Sequence, residues 1–273
     1  MQGLSVVVLT SRALGVDLAA ALSGIPEVRS LTVVTTRAGF RQSFYRKLRR
    51  MYLHEGVPGL LEAARRRLYP PAGGPTQDLA NVVAEKCPGA NHIHYDDLHA
   101  PEAVAHLRAL APDLGIVFAT YRLRPEVFNA PRMGSLNLHL GRAPEFRGSS
   151  PGFYEMLEGA GEVGVTVHRV SEKLDEGPIL LQETFPLDIA PPGDPMQYLK
   201  RYQVQVLVPG GTRLMVQAVQ RIAHGVSEER VQGRGARPRP RATYRLQQEL
   251  RRRVAERRVA GTARGWAPTP VRN

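Results

Sequence analysis

The sequence predicts an α/β fold in which a mostly parallel β-sheet lies between two layers of helices. Short apolar runs rich in β-branched residues alternate along the chain with amphipathic stretches of helical periodicity. The first unit, a strand, a helix and a second strand within residues 4–36, has the order of a βαβ crossover. A later run at 114–118 is apolar throughout, which is typical of a strand covered on both faces.

Each element is predicted from its own pattern, because apolar β-branched runs favour strands and apolar residues three and four apart favour helices. Strands are expected at 4–9, 31–36, 90–94, 114–118, 135–140, 164–170 and 179–185. Helices are expected around 18–22, 77–86, 101–110, 151–158, 195–224 and 243–258. Within the helix over 195–224, Pro209-Gly210-Gly211 is a candidate break, because proline and glycine disfavour helix interiors.

The net charge of +12 is concentrated in two segments. Residues 230–273 contain 13 Arg and two acidic residues, and residues 37–70 contain nine cationic residues and two acidic ones. The remainder of the chain is close to neutral or acidic, which argues against a nucleic-acid surface spread over the whole molecule. A contact between RNA and the basic segment 230–273 remains an alternative, because clustered Arg side chains attract phosphates.

The composition places the chain among globular proteins, with 42% hydrophobic and 23% charged residues. No apolar run approaches the roughly 18 residues that cross a bilayer, so we expect no membrane partner. The single Cys87 cannot form an internal disulfide, which favours a reducing, cytoplasmic location.

We expect one α/β domain over residues 1–205 with a basic helical insertion at 37–75, followed by a terminal helix over 206–229. An Arg-rich extension over 230–273 is expected to be partly disordered, because its polar, Pro-interrupted sequence can bury little apolar surface. The insertion has three interpretations. It is a solvated helix over the sheet edge, a helix for a partner or membrane surface, or a pocket wall whose Arg side chains meet a phosphate.

Asn137, His139 and Asp175 are the candidate chemical groups. Asn137 and His139 lie two residues apart on a predicted strand, so their side chains share a face, and they precede a Gly- and Pro-containing loop. Open α/β sheets bind ligands at such carboxyl ends of strands, and Asp175, in the loop after the next strand, could reach the same pocket. An amide, an imidazole and a carboxylate suit acyl transfer, in which an oxyanion develops and an attacking amine loses a proton. The spacing alone also fits a structural histidine and an aspartate in a turn.

Ordered motifs connect these residues with a known family. They are GSLNLH at 134–139 with PEFRG at 144–148, then GVTVH at 164–168, then LDEGPIL at 174–180. In this order the chain resembles the folate-dependent formyltransferase family over about residues 5–205. The resemblance implies a Rossmann-like three-layer sandwich, the formyltransferase fold, with 10-formyltetrahydrofolate as the formyl donor. The loop LGRAP at 140–144 and the segment TSRALG at 10–15 depart from the family, and the second departure argues against glycinamide ribonucleotide as acceptor.

The resemblance also implies roles for individual residues. Asn137 would donate to the formyl oxygen, His139, as an imidazolium, would stabilise the oxyanion, and Asp175 would keep His139 charged and organise removal of the amine proton. The folate would lie against two loops that contain Tyr121, Leu123, Val170, Ser171 and Leu174. Arg142 and Arg147 flank the loop after His139, and they are expected either to bind anionic groups of the acceptor or to brace that loop through salt bridges or carbonyl contacts.

No metal is expected. His92, His94 and His99, with Asp96 and Asp97, have the density of a zinc site, but a solvated strand end explains them as well.

The expected acceptor is a primary amine of a small molecule, an amino sugar or a nucleotide-linked amino sugar. One alternative is activity like that of methionyl-tRNA formyltransferase, and another is a non-catalytic RNA- or partner-binding protein on the same fold. An enzyme that acts on a small molecule is expected to keep its turnover when residues 230–273 are deleted. The sequence is compatible with either a monomer or a homo-oligomer.

Overall fold

The computed structural model describes residues 3–37, 44–68, 78–226, 228–233, 235 and 237–263. Its centre is a sheet whose strands are β1 (Leu4–Thr10), β2 (Val28–Thr36), β3 (Asn91–Tyr95), β4 (Leu114–Val117), β5 (Ser135–His139), β6 (Glu162–Arg169) and β7 (Ile179–Pro186). The seven strands lie in the order β3-β2-β1-β4-β5-β6-β7. β1 to β5 are mutually parallel, whereas β6 and β7 join as antiparallel strands.

Helices cover both faces of this sheet. They are α1 (Ala13–Ser23), α2 (Phe44–Leu68), α3 (Leu79–Lys86), α4 (Pro101–Ala109), α5 (Pro125–Phe128), α6 (Phe153–Glu158), α7 (Pro195–Tyr202), α8 (Val208–Ala223) and α9 (Tyr244–Ala263). α1, α3, α6, α7, α8 and α9 contribute to the core on one face, and α4 and α5 pack on the other. The predicted three-layer α/β sandwich is therefore confirmed.

Burial in β1 shows why residues 6–9 form an unbroken apolar run. Val6 and Val8 belong to the core beneath α1 and α8, and Val7 and Leu9 belong to the core beneath α4 and α5. Because successive side chains of a strand point to opposite faces, a strand with helices on both sides needs apolar residues at every position.

The predicted break in the last long helix is wrong in position. The chain is helical through Pro209-Gly210-Gly211, and the irregularity is a π-helical turn at Gln203–Leu207 that joins α7 to α8. Pro209 follows directly on this π-helical turn, as the second residue of α8. A Cβ on Gly210 would lie 2.3 Å from the Phe185 ring, so the glycine permits close packing of helix on sheet.

The basic segment at 37–75 is described only in part. α2 is interrupted at Gly56 (φ +66°, ψ −165°) and contains Pro58, so it consists of two helical pieces. Residues 38–43 and 69–77, which include the predicted linker at its end, lie outside the described residues.

The predicted helix over 243–258 is present as α9, and it packs on the body of the protein. Leu250 and Val254 are fully buried in the main core. Arg251 Nε lies 2.6 Å from Asp194 Oδ2, and Arg257 Nη1 donates to the Met156 carbonyl (2.6 Å). Several of the 13 Arg of the basic extension therefore hold α9 against α6 and α7. The proposed domain boundaries at 205 and 229 remain predictions.

Within the described segments, no helix is both long and apolar enough to cross a membrane.

Candidate active site

A cavity of about 650 Å³ opens at the carboxyl ends of β1, β4 and β5. β1 has β2 on one side and β4 on the other, so the strand order changes direction between β1 and β4. This is the position at which open α/β sheets form a ligand crevice. Ser11 Oγ donates to the Ala119 carbonyl (2.8 Å) and ties together the loops that follow β1 and β4.

Strand register brings the first two candidate residues into this cavity. On β5, Leu136 and Leu138 are buried in the main core, so Asn137 and His139 point to the opposite face, as their spacing predicted. Both residues line the cavity.

Asp175 joins them from the loop between β6 and β7. Its Oδ1 lies 3.4 Å from Asn137 Nδ2, and its Oδ2 lies 3.6 Å from His139 Nδ1. The backbone N–H of Gly148 donates to Oδ2 (3.0 Å). Asp175 has φ +53°, a left-handed conformation that aspartate tolerates better than most residues. The structure thus brings Asn137, His139 and Asp175 together.

His168, which was not among the candidate residues, belongs to the same cluster. It stands directly opposite Asn137 in the antiparallel pairing of β5 with β6. Its Nδ1 donates to the Arg169 carbonyl (2.7 Å), so in the neutral ring its Nε2 accepts from Asn137 Nδ2 (3.1 Å). The same Nε2 lies 3.6 Å from Asp175 Oδ1 and faces that carboxylate as a donor when the ring is protonated. The signal that could have found it is the alternation along GVTVH at 164–168, once this strand is taken as the antiparallel partner of β5.

Burial and neighbouring charges determine whether Asp175 and His139 carry a proton. Burial acts to raise the pKa of Asp175, but the imidazoles of His168 and His139 and the Gly148 N–H outweigh it and hold this pKa below its ordinary value. Asp175 is therefore a carboxylate at neutral pH.

The imidazolium expected at His139 stays a prediction. Burial lowers the pKa of His139 below its ordinary value, although Asp175 and the Phe146 carbonyl act in the other direction. Its Nε2 donates to that carbonyl (2.8 Å), so the neutral ring carries its proton on Nε2. The lone pair of Nδ1 then faces Asp175, and His139 in this state is an acceptor of protons.

The five residues expected to contact folate all line the cavity. They are Tyr121, Leu123, Val170, Ser171 and Leu174. Val117 and Phe118 add apolar surface to the same cavity. An apolar wall beside exposed loop backbone fits a flat heterocycle that needs both packing and backbone hydrogen bonds.

Arg142 and Arg147 lie elsewhere, which corrects the expectation that they bind the acceptor. Arg142 Nη1 is 2.9 Å from Glu162 Oε1, and Arg147 is buried with its Nη1 2.8 Å from Glu176 Oε1. Neither residue lines the cavity. The physical reason is that the loop after β5 turns back over β6 and β7, away from the opening.

Other cations surround the opening. They are Arg12 after β1, Arg50 on α2, Arg122 after β4, Lys173 beside Asp175, and Arg241 just before α9. Asp175 is the single acidic residue among the described residues that line the cavity. The cavity therefore favours anionic ligands.

The histidines on β3 do not form a metal site. Thr35 Oγ1 lies 2.9 Å from His92 Nε2 and 3.0 Å from His94 Nδ1, so both rings face a hydroxyl. No group of three metal-binding side chains occurs among the residues that the structure describes.

Fold and site together define an α/β protein with an amide, an imidazole and a carboxylate at the carboxyl edge of the sheet. The family model described as "Formyl transferase" matches residues 71–207, half of the chain, and the protein belongs to this family.

Known proteins agree with this membership. A methionyl-tRNA formyltransferase from Roseiflexus sp. (strain RS-1) is 39% identical over 120 residues, which cover 43% of this chain and 37% of the relative. The chain thus matches less than half the length of the curated relatives.

Solved structures share the fold. Glycinamide ribonucleotide transformylase 1 from Symbiobacterium toebii superposes with a TM-score of 0.53 at 23% identity, over 85% of this chain and 95% of that one. A sugar N-formyltransferase from Shewanella sp. FDAARGOS_354 superposes with a TM-score of 0.54 at 15% identity, over 86% of this chain and 76% of that one.

Proposed function

We propose that the protein transfers a formyl group from 10-formyltetrahydrofolate to a primary amine. The observation that carries this proposal is the convergence of Asn137, His139 and Asp175 in one cavity, with Asp175 within 3.4 Å of Asn137 and 3.6 Å of His139. Membership of the formyl transferase family supports it.

Each side chain has a role that follows from its surroundings. Bound 10-formyltetrahydrofolate would supply an activated formyl group, held by the loops that contain Tyr121, Leu123 and Val170. Asn137 Nδ2 lies at the cavity surface, and the N–H that makes its longer contact, 3.4 Å to Asp175 Oδ1, would turn to a carbonyl oxygen on which negative charge develops. The Asp175 carboxylate would accept the proton that the attacking amine loses, directly or through water, and this proton would pass to the folate nitrogen as its bond to the formyl carbon breaks and tetrahydrofolate leaves. His139 Nδ1 shares this proton, because the imidazolium would then have an acceptor at each nitrogen, Asp175 and the Phe146 carbonyl.

The acceptor that we propose is an amine on a small anionic molecule, an amino sugar or nucleotide-linked amino sugar. Arg12, Arg50 and Arg241 come from three separate segments and are exposed around the same opening. Within the described part of the chain, none of these three side chains has an acidic partner, so their charge is available to a phosphate or diphosphate.

Formylation of methionyl-tRNA is the second candidate. It is favoured by the name of the curated relative and by the same basic opening, which would suit a nucleic-acid backbone. The two acceptors differ in their response to salt. A tRNA that contacts many phosphate-binding side chains loses affinity steeply as salt rises, whereas a single phosphate group responds weakly.

The test of the reaction is release of tetrahydrofolate from 10-formyltetrahydrofolate by the purified full chain. The acceptors are a panel of amino sugars, nucleotide-linked amino sugars and methionyl-tRNA. We expect one acceptor to support release, and Asn137→Ala to lower kcat by about 10²-fold or more, because it removes the donor to the developing charge. No release above the level of Asn137→Ala with any acceptor contradicts the proposed reaction.

Arg50→Ala tests the class of acceptor. We expect KM for an anionic acceptor to rise about 10-fold, because one charge-assisted hydrogen bond is lost. Arg49→Ala is the matched control, because Arg49 is the adjacent exposed cation and does not line the cavity. Equal effects of the two substitutions would show that Arg50 acts only through net charge.

A further inference from the structure

The segment that precedes α9 contacts two loops of the active site. One loop contains Asp175, and the other contains Gly148. We call the described residues 230–233, 235 and 237–243 the C-terminal strap. Arg230 and Ile179 exchange two backbone hydrogen bonds, each 2.8 Å long, so the strap begins as a bridge to the first residue of β7. At its far end the Ala242 N–H donates to Ser150 Oγ (3.1 Å).

Gln232 contacts the loop that carries Asp175. Its Nε2 donates to the carbonyl of Asp175 (2.9 Å) and to the carbonyl of Gly177 (2.7 Å). Two carbonyls converge on one amide nitrogen, so only a donor satisfies this position. These bonds hold the backbone at the residue whose φ is +53°.

Arg239 contacts the second loop, which supplies the N–H that binds the Asp175 carboxylate. The Arg239 N–H donates to the Arg147 carbonyl (2.8 Å), and the Ser149 N–H donates to the Arg239 carbonyl (3.0 Å). Gly148 lies between these two bonds with φ +103°, and its own N–H donates to Asp175 Oδ2. A Cβ on Gly148 would lie 2.2 Å from the Arg239 carbonyl oxygen, so strap and loop are in direct contact.

The Arg239 side chain fixes the strap to the body. Its guanidinium lies 5.0 Å from the ring centres of both Phe146 and Tyr154, and it pairs with Glu158. Tyr154 Oη donates to the Pro240 carbonyl (2.8 Å), which adds a second anchor beside the first. Cation–π contacts with two rings and an ion pair hold the backbone of Arg239 in register with Gly148.

The strap therefore holds Asp175 at two points. Gln232 binds its backbone carbonyl, and Arg239 positions Gly148, whose N–H binds its carboxylate. We propose that Gln232 and Arg239 are positioning residues that set the Asp175 carboxylate against Asn137 and His139. The proposal rests on the function proposed above, in which Asp175 is a catalytic residue. It makes the C-terminal strap a part of the active site, although neither Gln232 nor Arg239 touches the reacting atoms.

Gln232→Met tests the first contact, because methionine keeps the length of the side chain and removes its donor. We expect kcat to fall about 10-fold or more, with KM for both substrates unchanged, since the carboxylate is displaced but the cavity walls are kept. Amide hydrogen exchange of residues 171–178 is expected to speed up in the free protein. Gln248→Met on the exposed side of α9 is the matched control and should change neither quantity.

Arg239→Lys tests the second contact and keeps the charge opposite Glu158. We expect a smaller fall in kcat, about 3- to 10-fold, with faster exchange of residues 147–150. Arg237→Lys, an exposed position in the same strap, is its control. An unchanged melting temperature for these variants excludes global unfolding as the cause.

The outcomes separate the two proposals. If the wild-type chain releases no tetrahydrofolate, the proposed function fails, and hydrogen exchange still decides whether the strap holds the Asp175 loop. Unchanged kcat and unchanged exchange in Gln232→Met and Arg239→Lys would overturn the positioning role. A rise in KM at constant kcat would also overturn it, because a substrate contact would then explain the effect.

Discussion

The Asn137 amide has one orientation that satisfies its neighbours. His168 Nε2 and Asp175 Oδ1 are both acceptors, so Nδ2 must face them and Oδ1 must face away. His168 is fixed in turn by the bond from its Nδ1 to the Arg169 carbonyl. The direction in which Asn137 presents its donor is thus set by a residue on the neighbouring antiparallel strand.

Substitution of His168 tests this dependence. We expect His168→Leu to lower kcat about 10-fold, because Asn137 loses the acceptor that orients it. His168→Gln should recover part of the loss, since a glutamine carbonyl can accept the same proton. Steady-state kinetics of the two variants provide the measurement, and equal activity of both with the wild type would contradict the role.

Glu155 is a buried carboxyl group that the proposed reaction does not use. Burial raises its pKa to about 7, although the bond from its own backbone N–H and the charge of Arg239 oppose this. Its Oε1 has no hydrogen-bond partner among the described residues. The folded protein therefore keeps Glu155 protonated at pH values at which the unfolded chain has released the proton.

The sign of the resulting pH dependence follows from linkage. Below the ordinary pKa of 4.5 both states are protonated, and Glu155 does not affect stability. Between that value and about pH 7 the unfolded state alone ionises, so the free energy of unfolding falls by about 3 kcal/mol.

We expect Glu155→Gln to remove this loss. The variant should be more stable than the wild type by about 2–3 kcal/mol at about pH 8 and not at about pH 4.5. Urea denaturation at both pH values checks this, with Glu85→Gln on the exposed surface of α3 as the control. A difference that is the same at both values would contradict it.

At the scale of elements, the bend in α2 has a packing reason. Gly56 has φ +66°, and a Cβ there would lie 2.9 Å from the ring of Tyr244 at the start of α9. Gln247 Nε2 donates to the adjacent His54 carbonyl (2.8 Å). The glycine therefore bends α2 and lets the first turn of α9 dock against the bend.

Gly56→Ala is expected to lower the free energy of unfolding by about 1–3 kcal/mol, because it adds both backbone strain and a clash with Tyr244. Chemical denaturation gives the measurement. Gly89→Ala, at a glycine with open space around its Cβ position, should cost nothing. Equal stability of both variants would show that α2 adapts without cost.

The sequence predicted best those elements whose two faces lie in the same environment. β1 and β4 are covered on both faces, so an apolar run is sufficient to identify them. Pro209 and Gly210 misled the prediction because their local preference opposes a helix interior. Pro209 is accommodated in the first turn of α8, and Gly210 is needed because the Phe185 ring packs against it. The local sequence does not reveal this packing.

At the scale of the whole molecule, the site combines segments that are far apart in sequence. The motifs at 134–139 and 174–180 predicted Asn137, His139 and Asp175, because each of these residues lies within a short recognisable sequence. Arg12, Arg50 and Arg241 could not be predicted as a group, because only the fold brings them to one opening. Arg142 and Arg147 are close to His139 in sequence but are turned towards Glu162 and Glu176.

The C-terminal segment changes an expectation about the chain as a whole. Deletion of residues 230–273 was expected to leave turnover unchanged, since their composition is polar and basic. The contacts of Gln232, Arg239 and Leu250 reverse that expectation, and we now expect the deletion to impair both stability and transfer.

Leu250→Ala isolates the stability component. Leu250 is fully buried, so we expect a loss of about 2–5 kcal/mol in the free energy of unfolding, from lost burial and a cavity. Leu61→Ala on α2 is the matched control, because Leu61 is 67% exposed and should lose less than about 0.5 kcal/mol. A loss for Leu250→Ala as small as that of the control would mean that α9 is not part of the core.

The C-terminal strap also has a consequence for the order in which this protein matures. A ribosome releases β1 to β7 before residues 230–243, so the sheet with Asn137 and His139 can form while the strap is still being synthesised. The contacts of Gln232 and Arg239 join residues 55 to 92 positions apart, so they cannot form before this segment has been synthesised. We therefore expect a nascent chain stalled before residue 230 to be folded in its sheet yet unable to turn over substrate, so that competence arrives only with the end of translation of this segment.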